Sequence, residues 1–588
     1  YQVYALRAIE LAALGKDNVD GIKHGGFIWH TTGSGKTITS FKTALFLSTR
    51  IGFDKVIFMV DRRELDSHTA DSFKAYAAYE PVEVDGTEYT YNLKTSIKNG
   101  RHGIIVTTTY KMANLVKELT DGQDISLKNK KFVFIIDEAH RTTMGDMMHL
   151  IKAYFKDNSL FYGFTGTPLF EENKANGRIN EQSELINTTE KLFGPLLHQY
   201  TINEAISDGN VLGFNVDYIN TGEFTSYQAL KSQIIESYGV QHPEEHKEGI
   251  KKKFGSLNEG QIELAAKQMD ILNYNNPEHI ERVVARILDD WNHISGNKFF
   301  NAILTVGLKK RVIDYYREFK RQITERELNF NLAMTFSKGD ENDPTSIDKD
   351  IYAEMFKDYE TYTGVYFDVN DAKMGIDAYF QDLITRAAQG GSAQNPHNID
   401  LVIVADQMLT GYDSKFLNAL YVDRNLELQG LIQAYSRTNR VYGKDKEFGS
   451  IINFQYPRIS EERVHEALAL YSSGGENLQA IVDDYDTAVV KFSDAVARMQ
   501  SAFPNPADWK LYEYEEDHKE IIKKVYRAAA AQLNKVKQYY AFEWDDETFG
   551  ISLLEWQNYS GAYKNLFPTV DAGDDVINPM QGEVKLEG

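Results

Sequence analysis

The sequence predicts an α/β protein: two parallel-sheet domains followed by an α-helical domain. Three observations carry this. Short apolar runs rich in Ile, Val and Phe alternate with amphipathic stretches over the first two hundred residues. A second alternation of the same kind occupies residues 302–454. From about Ser460 only the 3.6-residue period of packed helices remains. Strands covered on both faces of a parallel sheet read as continuous apolar runs, and the connections between them are helical.

The candidate strands of the first domain are residues 26–30, 55–60, 103–107, 132–136 and 160–164. Each is followed by polar residues and then a helical pattern, and this domain is placed at 1–205. The second set is 302–306, 332–336, 401–405, 419–422 and 450–454, giving a domain at 206–457. Within it, 222–293 is polar and charged, with Glu244, Glu245, Lys247 and Lys251 to Lys253, and reads as a helical insertion with a solvated face. Residues 341–391 read as an irregular excursion. The helical domain, 458–588, rests on three one-sided apolar patterns. They are Val464, Ala467, Leu468 and Tyr471; then Tyr485, Ala488, Val489, Phe492, Val496 and Met499; then Ile522, Val525, Tyr526, Ala529, Leu533, Val536 and Tyr540.

A length of 588 residues, 42% of them hydrophobic, suits three or four domains, each with its own core. With no cysteine, disulfides and thiolate metal sites are excluded, which fits a reducing cytosol. No run of 18 apolar residues occurs, so no membrane span is expected, and no secretory signal is visible. The chain opens at Tyr1 rather than Met and is expected to be part of a longer protein. A formal net charge of −22 argues against a basic nucleic-acid footprint. Backbone N–H groups and hydroxyls can hold phosphates without adding charge, so the motifs decide.

The strongest motif is His30-Thr31-Thr32-Gly33-Ser34-Gly35-Lys36-Thr37, placed between a strand and a helix. That is the context a P-loop requires. Gly33 and Gly35 let the backbone curl so that its N–H groups point at phosphate oxygens, and the helix N-terminus adds a favourable dipole. Lys36 is expected to reach the β- and γ-phosphates of ATP, and Thr37 to ligate Mg²⁺. The first consensus position holds His30 in place of Gly. About a hundred residues on, the apolar strand 132–136 delivers Asp137 and Glu138 at its C-terminal end, where ligands bind in parallel sheets. Asp137 is expected to hold the Mg²⁺, and Glu138 to orient and deprotonate the attacking water. Arg437 and Arg440 stand at i and i+3, on one helical face, and can reach one site together.

Asp137-Glu138-Ala139-His140 resembles the DEAH form of motif II in superfamily 2 helicases and translocases, and the other motifs follow in order. Tyr1-Gln2 looks like the tip of the upstream motif whose glutamine reads adenine. Val60-Asp61-Arg62-Arg63-Glu64-Leu65 resembles motif Ia, Thr107-Thr108-Thr109 motif Ib, and Phe164-Thr165-Gly166-Thr167-Pro168 motif III. Thr410-Gly411-Tyr412-Asp413 resembles motif V, and Gln433-Ala434-Tyr435-Ser436-Arg437-Thr438-Asn439-Arg440 motif VI. The resemblance implies two RecA-like motor domains with ATP between them. It makes Arg437 and Arg440 arginine fingers for the γ-phosphate. Gln2, Gly33, Ser34, Gly35, Lys36, Thr37, Gly411, Asp413 and Gln433 would bind nucleotide. Arg62, Thr107, Thr108, Thr109 and Thr165 would touch DNA.

Several peptides are closer to one family than to the superfamily: DEAHRT at 137–142, GFTGTPL at 163–169, LTGYD at 409–413, LYVDR at 420–424 and QAYSRTNR at 433–440. Together they resemble the motor of the R subunit of type I restriction-modification enzymes. That resemblance implies a bacterial or archaeal cytoplasmic ATPase that pulls double-stranded DNA past a core of methyltransferase and DNA-specificity subunits. It also implies a nuclease domain upstream of the motor, outside this chain. Asp574, Asp575 and Glu583-Val584-Lys585 read as a solvated acidic tail rather than a nuclease site. Two alternatives stay open: a strand-separating DNA or RNA helicase of the same superfamily, and a non-catalytic module with a degenerate P-loop. A strand-displacement assay tests the first, and Lys36→Ala the second.

Overall fold

The computed structural model describes residues 1–50, 53–60, 76, 84–86, 90–98, 103–128, 130–139, 144–155, 159–174, 178–179, 185–336, 346–371, 374–390, 397–409, 411–472, 480–539 and 541–567. They form two compact units. One comprises Tyr1–Tyr442 with Phe448–Val482, the other Gly443–Glu447 with Asp483–Gly588.

The first unit contains two large sheets, beside a two-stranded antiparallel ribbon of Arg178–Ile179 and Leu185–Ile186. One has seven strands: β1 (Gly26–His30), β2 (Lys55–Val60), β3 (Val84–Gly86), β4 (Ile104–Thr108), β5 (Phe132–Ile136), β6 (Ser159–Thr165) and β7 (Leu196–Tyr200), in the order β3-β4-β2-β5-β6-β1-β7. The other has six: β8 (Gly213–Tyr218), β9 (Asn301–Val306), β10 (Leu332–Thr335), β11 (Leu401–Val404), β12 (Leu417–Asp423) and β13 (Phe448–Asn453), in the order β8-β13-β12-β9-β11-β10. Among the described residues every strand pairing within these two sheets is parallel. Such sheets place all strand C-termini along one edge, where the loops that carry chemistry gather.

Helix α1 (Gln2–Leu14) and helix α2 (Lys36–Arg50) cover one face of the first sheet. Ala5, Ile9, Ala12 and Ala13 of α1 and Phe41, Ala44 and Leu47 of α2 pack on Ile28, Val56, Phe58, Val133, Ile135 and Phe164. Each large side chain buried there stabilises by roughly 1.5–3 kcal/mol. Helix α3 (Thr109–Asp121) starts where Thr108 caps it, the Thr108 hydroxyl accepting from the Lys111 N–H at 3.2 Å.

The region 222–293 folds as four helices: α4 (Tyr227–Gln241), α5 (Lys247–Gly255), α6 (Glu259–Gln268) and α7 (Pro277–Ile294). The first three share a small core of Phe224, Leu230, Ile234, Ile250, Phe254, Ile262 and Leu272. In α7, Asn276 caps the N-terminus and Pro277 stands at the first turn, where its missing N–H costs nothing. Val283, Val284, Ile287, Leu288 and Trp291 bury one side of α7.

Helix α7 and helix α8 (Lys309–Glu325) are tied to the second sheet by a buried charge cluster. Asp423, at the end of β12, accepts hydrogen bonds from His279 Nε2 (2.7 Å), Tyr315 Oη (2.6 Å) and Gln455 Nε2 (2.9 Å), and pairs with Arg311. Burial alone would raise the Asp423 carboxyl. The His279 bond, the charges of His279 and Arg311 and the Tyr315 hydroxyl outweigh it and hold the group below its ordinary value. Asp423→Ala would leave the buried Arg311 without its partner, so a loss of about 3–5 kcal/mol is expected in chemical denaturation.

Residues 341–391, read from sequence as an irregular excursion, contain two helices, Ser346–Thr363 and Ile376–Ala387. Tyr352, Phe356, Tyr359, Phe367 and Tyr379 bury together, and the Tyr379 hydroxyl donates to the Met334 carbonyl of β10 at 2.9 Å. The spacing of 352, 356 and 359 is a helical one that the polar surroundings hid.

Helix α9 (Leu428–Tyr435) and helix α10 (Pro457–Tyr471) also belong to the first unit. The sequence reading began the helical domain at 458, whereas the second unit resumes at Asp483. Val464, Ala467 and Leu468 are apolar on one side of α10 because that side is buried within the first unit.

In the second unit, α11 (Tyr485–Ala502), α12 (Glu516–Val536) and α13 (Leu553–Leu566) pack through aromatic rings. Tyr526 stacks on Tyr563 at 4.2 Å, and Phe492 meets Phe549 edge-on at 5.3 Å. Among the described residues no helix is long and apolar enough to cross a membrane.

Candidate active site

The site lies at the C-terminal edge of the first sheet. The P-loop leaves β1 with Gly33 at φ 88° and Gly35 at φ 79°, left-handed conformations that a side chain would strain. Ser34 is turned into the loop, its hydroxyl donating to the Thr31 carbonyl at 2.7 Å. Lys36 opens α2 and is 9% exposed. Thr37 follows it, half-buried. Tyr1 donates its hydroxyl to the Ser34 carbonyl and stacks on Tyr200 at 3.7 Å. Gln2 lies against Gly35, where a Cβ would stand 3.1 Å from Gln2 Nε2. Tyr1 and Gln2 therefore sit beside the P-loop.

His30, the residue in place of the consensus glycine, is fully buried, with Nε2 3.0 Å from His198 Nδ1. Burial first, then the neighbouring His198 and Lys36, push the His30 imidazole down to about 3. It stays neutral and adds no charge to the loop.

Asp137 and Glu138 follow β5. The Asp137 N–H bonds the Met59 carbonyl at 3.0 Å, and the Ala139 N–H bonds the Phe164 carbonyl at 3.1 Å, so the turn is held from both neighbouring strands. Between them Glu138 has φ 50°, a left-handed backbone rare for a glutamate. Such strain is held by its surroundings and gathers at functional turns. Burial raises the Asp137 carboxyl, the Glu138 carboxylate raises it further, and Lys36 opposes both. Burial likewise pushes the Lys36 ammonium down, with Glu138 and Asp137 opposing. Two carboxylates crowded beside one buried ammonium suit a site completed by a divalent cation and phosphates.

The second half of the site comes from the other sheet. Arg437, just past α9, is 5% exposed, with Nη1 on the Tyr412 carbonyl at 2.5 Å and Nε on the Gln433 carbonyl at 3.1 Å. Burial first and Arg440 second push its guanidinium down to about 10, while Glu138 opposes. Arg440 pairs with Asp413 and reaches the P-loop: a Cβ on Gly33 would collide with its guanidinium. Gly411, at φ 81°, opens the turn that carries Tyr412 and Asp413. Gln433 is buried and donates from Nε2 to the Thr167 hydroxyl at 2.9 Å. That contact joins the two halves of the site through side chains.

Thr32 and Gly166 were not singled out as site residues. A Cβ on Gly166 would stand 2.7 Å from the Thr32 hydroxyl and 3.2 Å from Lys36 Nζ. The Thr165–Pro168 turn therefore rests directly on the P-loop, which only the folded sheet could reveal.

The threonine side chains expected to touch DNA are buried. Thr107, Thr108, Thr109 and Thr165 are each at most 2% exposed. The Thr108 hydroxyl caps α3, that of Thr109 donates to the Val60 carbonyl at 3.4 Å, and that of Thr165 accepts from the Thr167 N–H at 3.1 Å. The hydroxyls of Thr108, Thr109 and Thr165 thus serve capping and loop contacts in this structure. Arg62, His140, Thr410 and residues 574–585 lie outside the described residues.

Two all-parallel lobes, with a P-loop on one and paired arginines from the other, define a helicase-like α/β class. Residues 1–248 match the family described as SWI2/SNF2 ATPase, 298–456 match type I restriction enzyme subunit R domain 3, and 480–581 match the C-terminal part of type I restriction and modification enzyme subunit R. The chain is 33% identical over 591 residues to the type I restriction enzyme SsaAORF53P endonuclease subunit of Staphylococcus saprophyticus, covering 100% of this chain and 56% of that protein. It is also 33% identical over 598 residues to the SauCOLORF180P endonuclease subunit of Staphylococcus aureus, covering 100% of this chain and 58% of that protein. The ATP-dependent Type ISP restriction-modification enzyme LlaBIII bound to DNA aligns with a TM-score of 0.47 and 16% identity, over 84% of this chain and 30% of that one. The chain belongs to the R-subunit family of type I restriction enzymes. It spans a little over half the length of the curated relatives it matches.

Proposed function

We propose that this chain is the ATP-driven motor of an R subunit, hydrolysing ATP to move double-stranded DNA. The observation that carries the reading is that Lys36, Asp137 and Glu138 of one lobe share an electrostatic neighbourhood with Arg437 and Arg440 of the other. A nucleotide held there touches both lobes, so its cleavage can change their separation.

In this reading Gly33, Ser34 and Gly35 present backbone N–H groups to the phosphates, and Gln2 selects adenine. Lys36 neutralises the β- and γ-phosphates. Thr37 and Asp137 hold Mg²⁺, which when bound offsets charge on the phosphates. Glu138 orients water and takes its proton. Arg437 and Arg440 steady the charge that develops on the γ-phosphoryl group. Gly411, Asp413 and Gln433 complete the nucleotide site from the second lobe, Asp413 also holding Arg440 and Gln433 the lobe contact. Motor domains over 1–205 and 206–457, followed by a helical domain, remain our division of the chain.

We place the protein in the cytoplasm of a bacterial or archaeal cell, beside methyltransferase and specificity subunits and downstream of its own nuclease domain. With a net charge of −22, DNA tracking would rest on loop N–H groups and local cations rather than on a broad basic face.

The test is ATP turnover with no nucleic acid, with linear duplex, and with duplex plus the methyltransferase–specificity core. Stimulation that needs the core and a duplex bearing its recognition site supports the reading. Full stimulation by single strands or RNA, indifferent to the core, would favour a strand-separating helicase. Lys36→Ala should abolish turnover in either case, and its survival would sink both readings.

A further inference from the structure

We infer that Tyr471 is a positioning residue for this motor, passing the state of the nucleotide site to α10 and on to the helical insertion. The inference rests on the motor reading above and deepens it.

Tyr471 is the last residue of α10 and is 2% exposed. Its hydroxyl donates to the Pro168 carbonyl at 3.2 Å and accepts from Asn173 Nδ2 at 2.6 Å. Asn173 also donates to Gln429 Oε1 of α9 at 3.3 Å. One phenol thus holds both ends of the first-lobe segment between Pro168 and Asn173. Pro168 closes the turn whose Gly166 rests on Thr32 and Lys36. The Tyr471 ring meets Trp29, the residue before His30, at 6.5 Å, and Phe170 at 6.2 Å. Movement of the P-loop or of this turn therefore reaches one side chain of the second lobe by two routes.

Beside this joint lies a cavity of about 540 Å³, lined by Trp29, Phe170, Gln199, Leu428 and Leu470 among others. Close-packed interiors transmit displacement, whereas open space beside a contact lets it shift. The hydrogen bonds that cross here are directional, which suits a joint.

At its other end α10 is fixed to the insertion. The Glu263 carboxylate of α6 accepts the N–H of Arg458 at 3.1 Å and of Ile459 at 3.0 Å, and the Tyr227 hydroxyl of α4 at 2.7 Å. Glu263 is fully buried. Helix α10 is then a rod of 15 residues joining the Thr165–Pro168 turn to helices α4 and α6. A helix of that length spans about 22 Å and moves as one body.

The test uses the complete subunit in its complex, comparing wild type with Tyr471→Phe and Asn173→Ala. Tyr471→Phe keeps the ring and its packing and removes only the hydroxyl. Each variant should keep its KM for ATP within about twofold, lose about tenfold in DNA-stimulated kcat, and move fewer base pairs per ATP. Tenfold is the size of effect expected when one buried hydrogen bond is lost. The double variant should lose less than the product of the two single losses, because the Tyr471–Asn173 bond is common to both. In hydrogen exchange, wild type should change protection over 259–268 between ADP and a γ-phosphate analogue, and Tyr471→Phe should not. Unchanged kcat, coupling and exchange in both variants would overturn the inference while wild-type turnover stands. A wild type without DNA-dependent turnover would instead overturn the motor reading beneath it.

Discussion

Arg437→Ala is expected to lower ATP turnover by about 10³-fold or more, with nucleotide affinity changed far less. Arg437 is buried, comes from the lobe opposite the P-loop, and feels both Glu138 and Arg440. A buried guanidinium in that position acts on charge that develops during phosphoryl transfer, where the low dielectric magnifies it. Lys at this position would keep charge without the planar fork that holds the Tyr412 and Gln433 carbonyls, so it should restore little. Single-turnover hydrolysis beside equilibrium binding of a fluorescent ATP analogue separates the two quantities. Loss of binding equal to the loss of turnover would show that Arg437 only holds the ground state.

Glu138→Gln should cost about 10²–10⁴-fold in hydrolysis and leave ATP bound for longer. Gln matches the shape of Glu and keeps the left-handed turn, while it cannot accept a proton at neutral pH. Removing that carboxylate also removes the second-largest cause that raises Asp137, so Asp137 should ionise more readily in the variant. Tight Mg²⁺–ATP retention without turnover is the expected signature, read by nucleotide release from the purified variant. Near-normal turnover would move the general base elsewhere.

Much of the fold was legible because strands buried on both faces leave unbroken apolar runs. Residues 26–30, 55–60 and 132–136 coincide with β1, β2 and β5 for that reason. The three strands of the large sheets that were not foreseen lack the signal. β7 (LLHQY) is only part-buried, β8 (GFNVDY) carries Asn215 and Asp217, and β3 has three residues. β7, β8 and β3 are the edges of their sheets, where one side needs no apolar cover. The P-loop and the Asp137-Glu138 pair were legible as local motifs. The meeting of Gln433 with Thr167, of Arg440 with Gly33 and of Tyr471 with Pro168 was not, since it joins residues between 266 and 407 positions apart. The threonines carry two readings in sequence, because a hydroxyl at a strand end serves capping as well as it serves a phosphate.

The pairing of β8 with β13 has a consequence for how the chain is made. Gly213 aligns with Phe448 and Tyr218 with Asn453, so an edge strand laid down early waits for a partner near the end of the unit. At roughly 5–20 residues per second of synthesis, that wait lasts about 12–50 s. The seven-stranded sheet is complete in sequence by Tyr200 and can form on the ribosome well before its neighbour. During the interval β8 offers unpaired N–H and C=O groups to whatever strand is near. A ribosome paused before Asn453 would release a nascent chain with one finished lobe and one open edge, the state in which chaperone capture matters most.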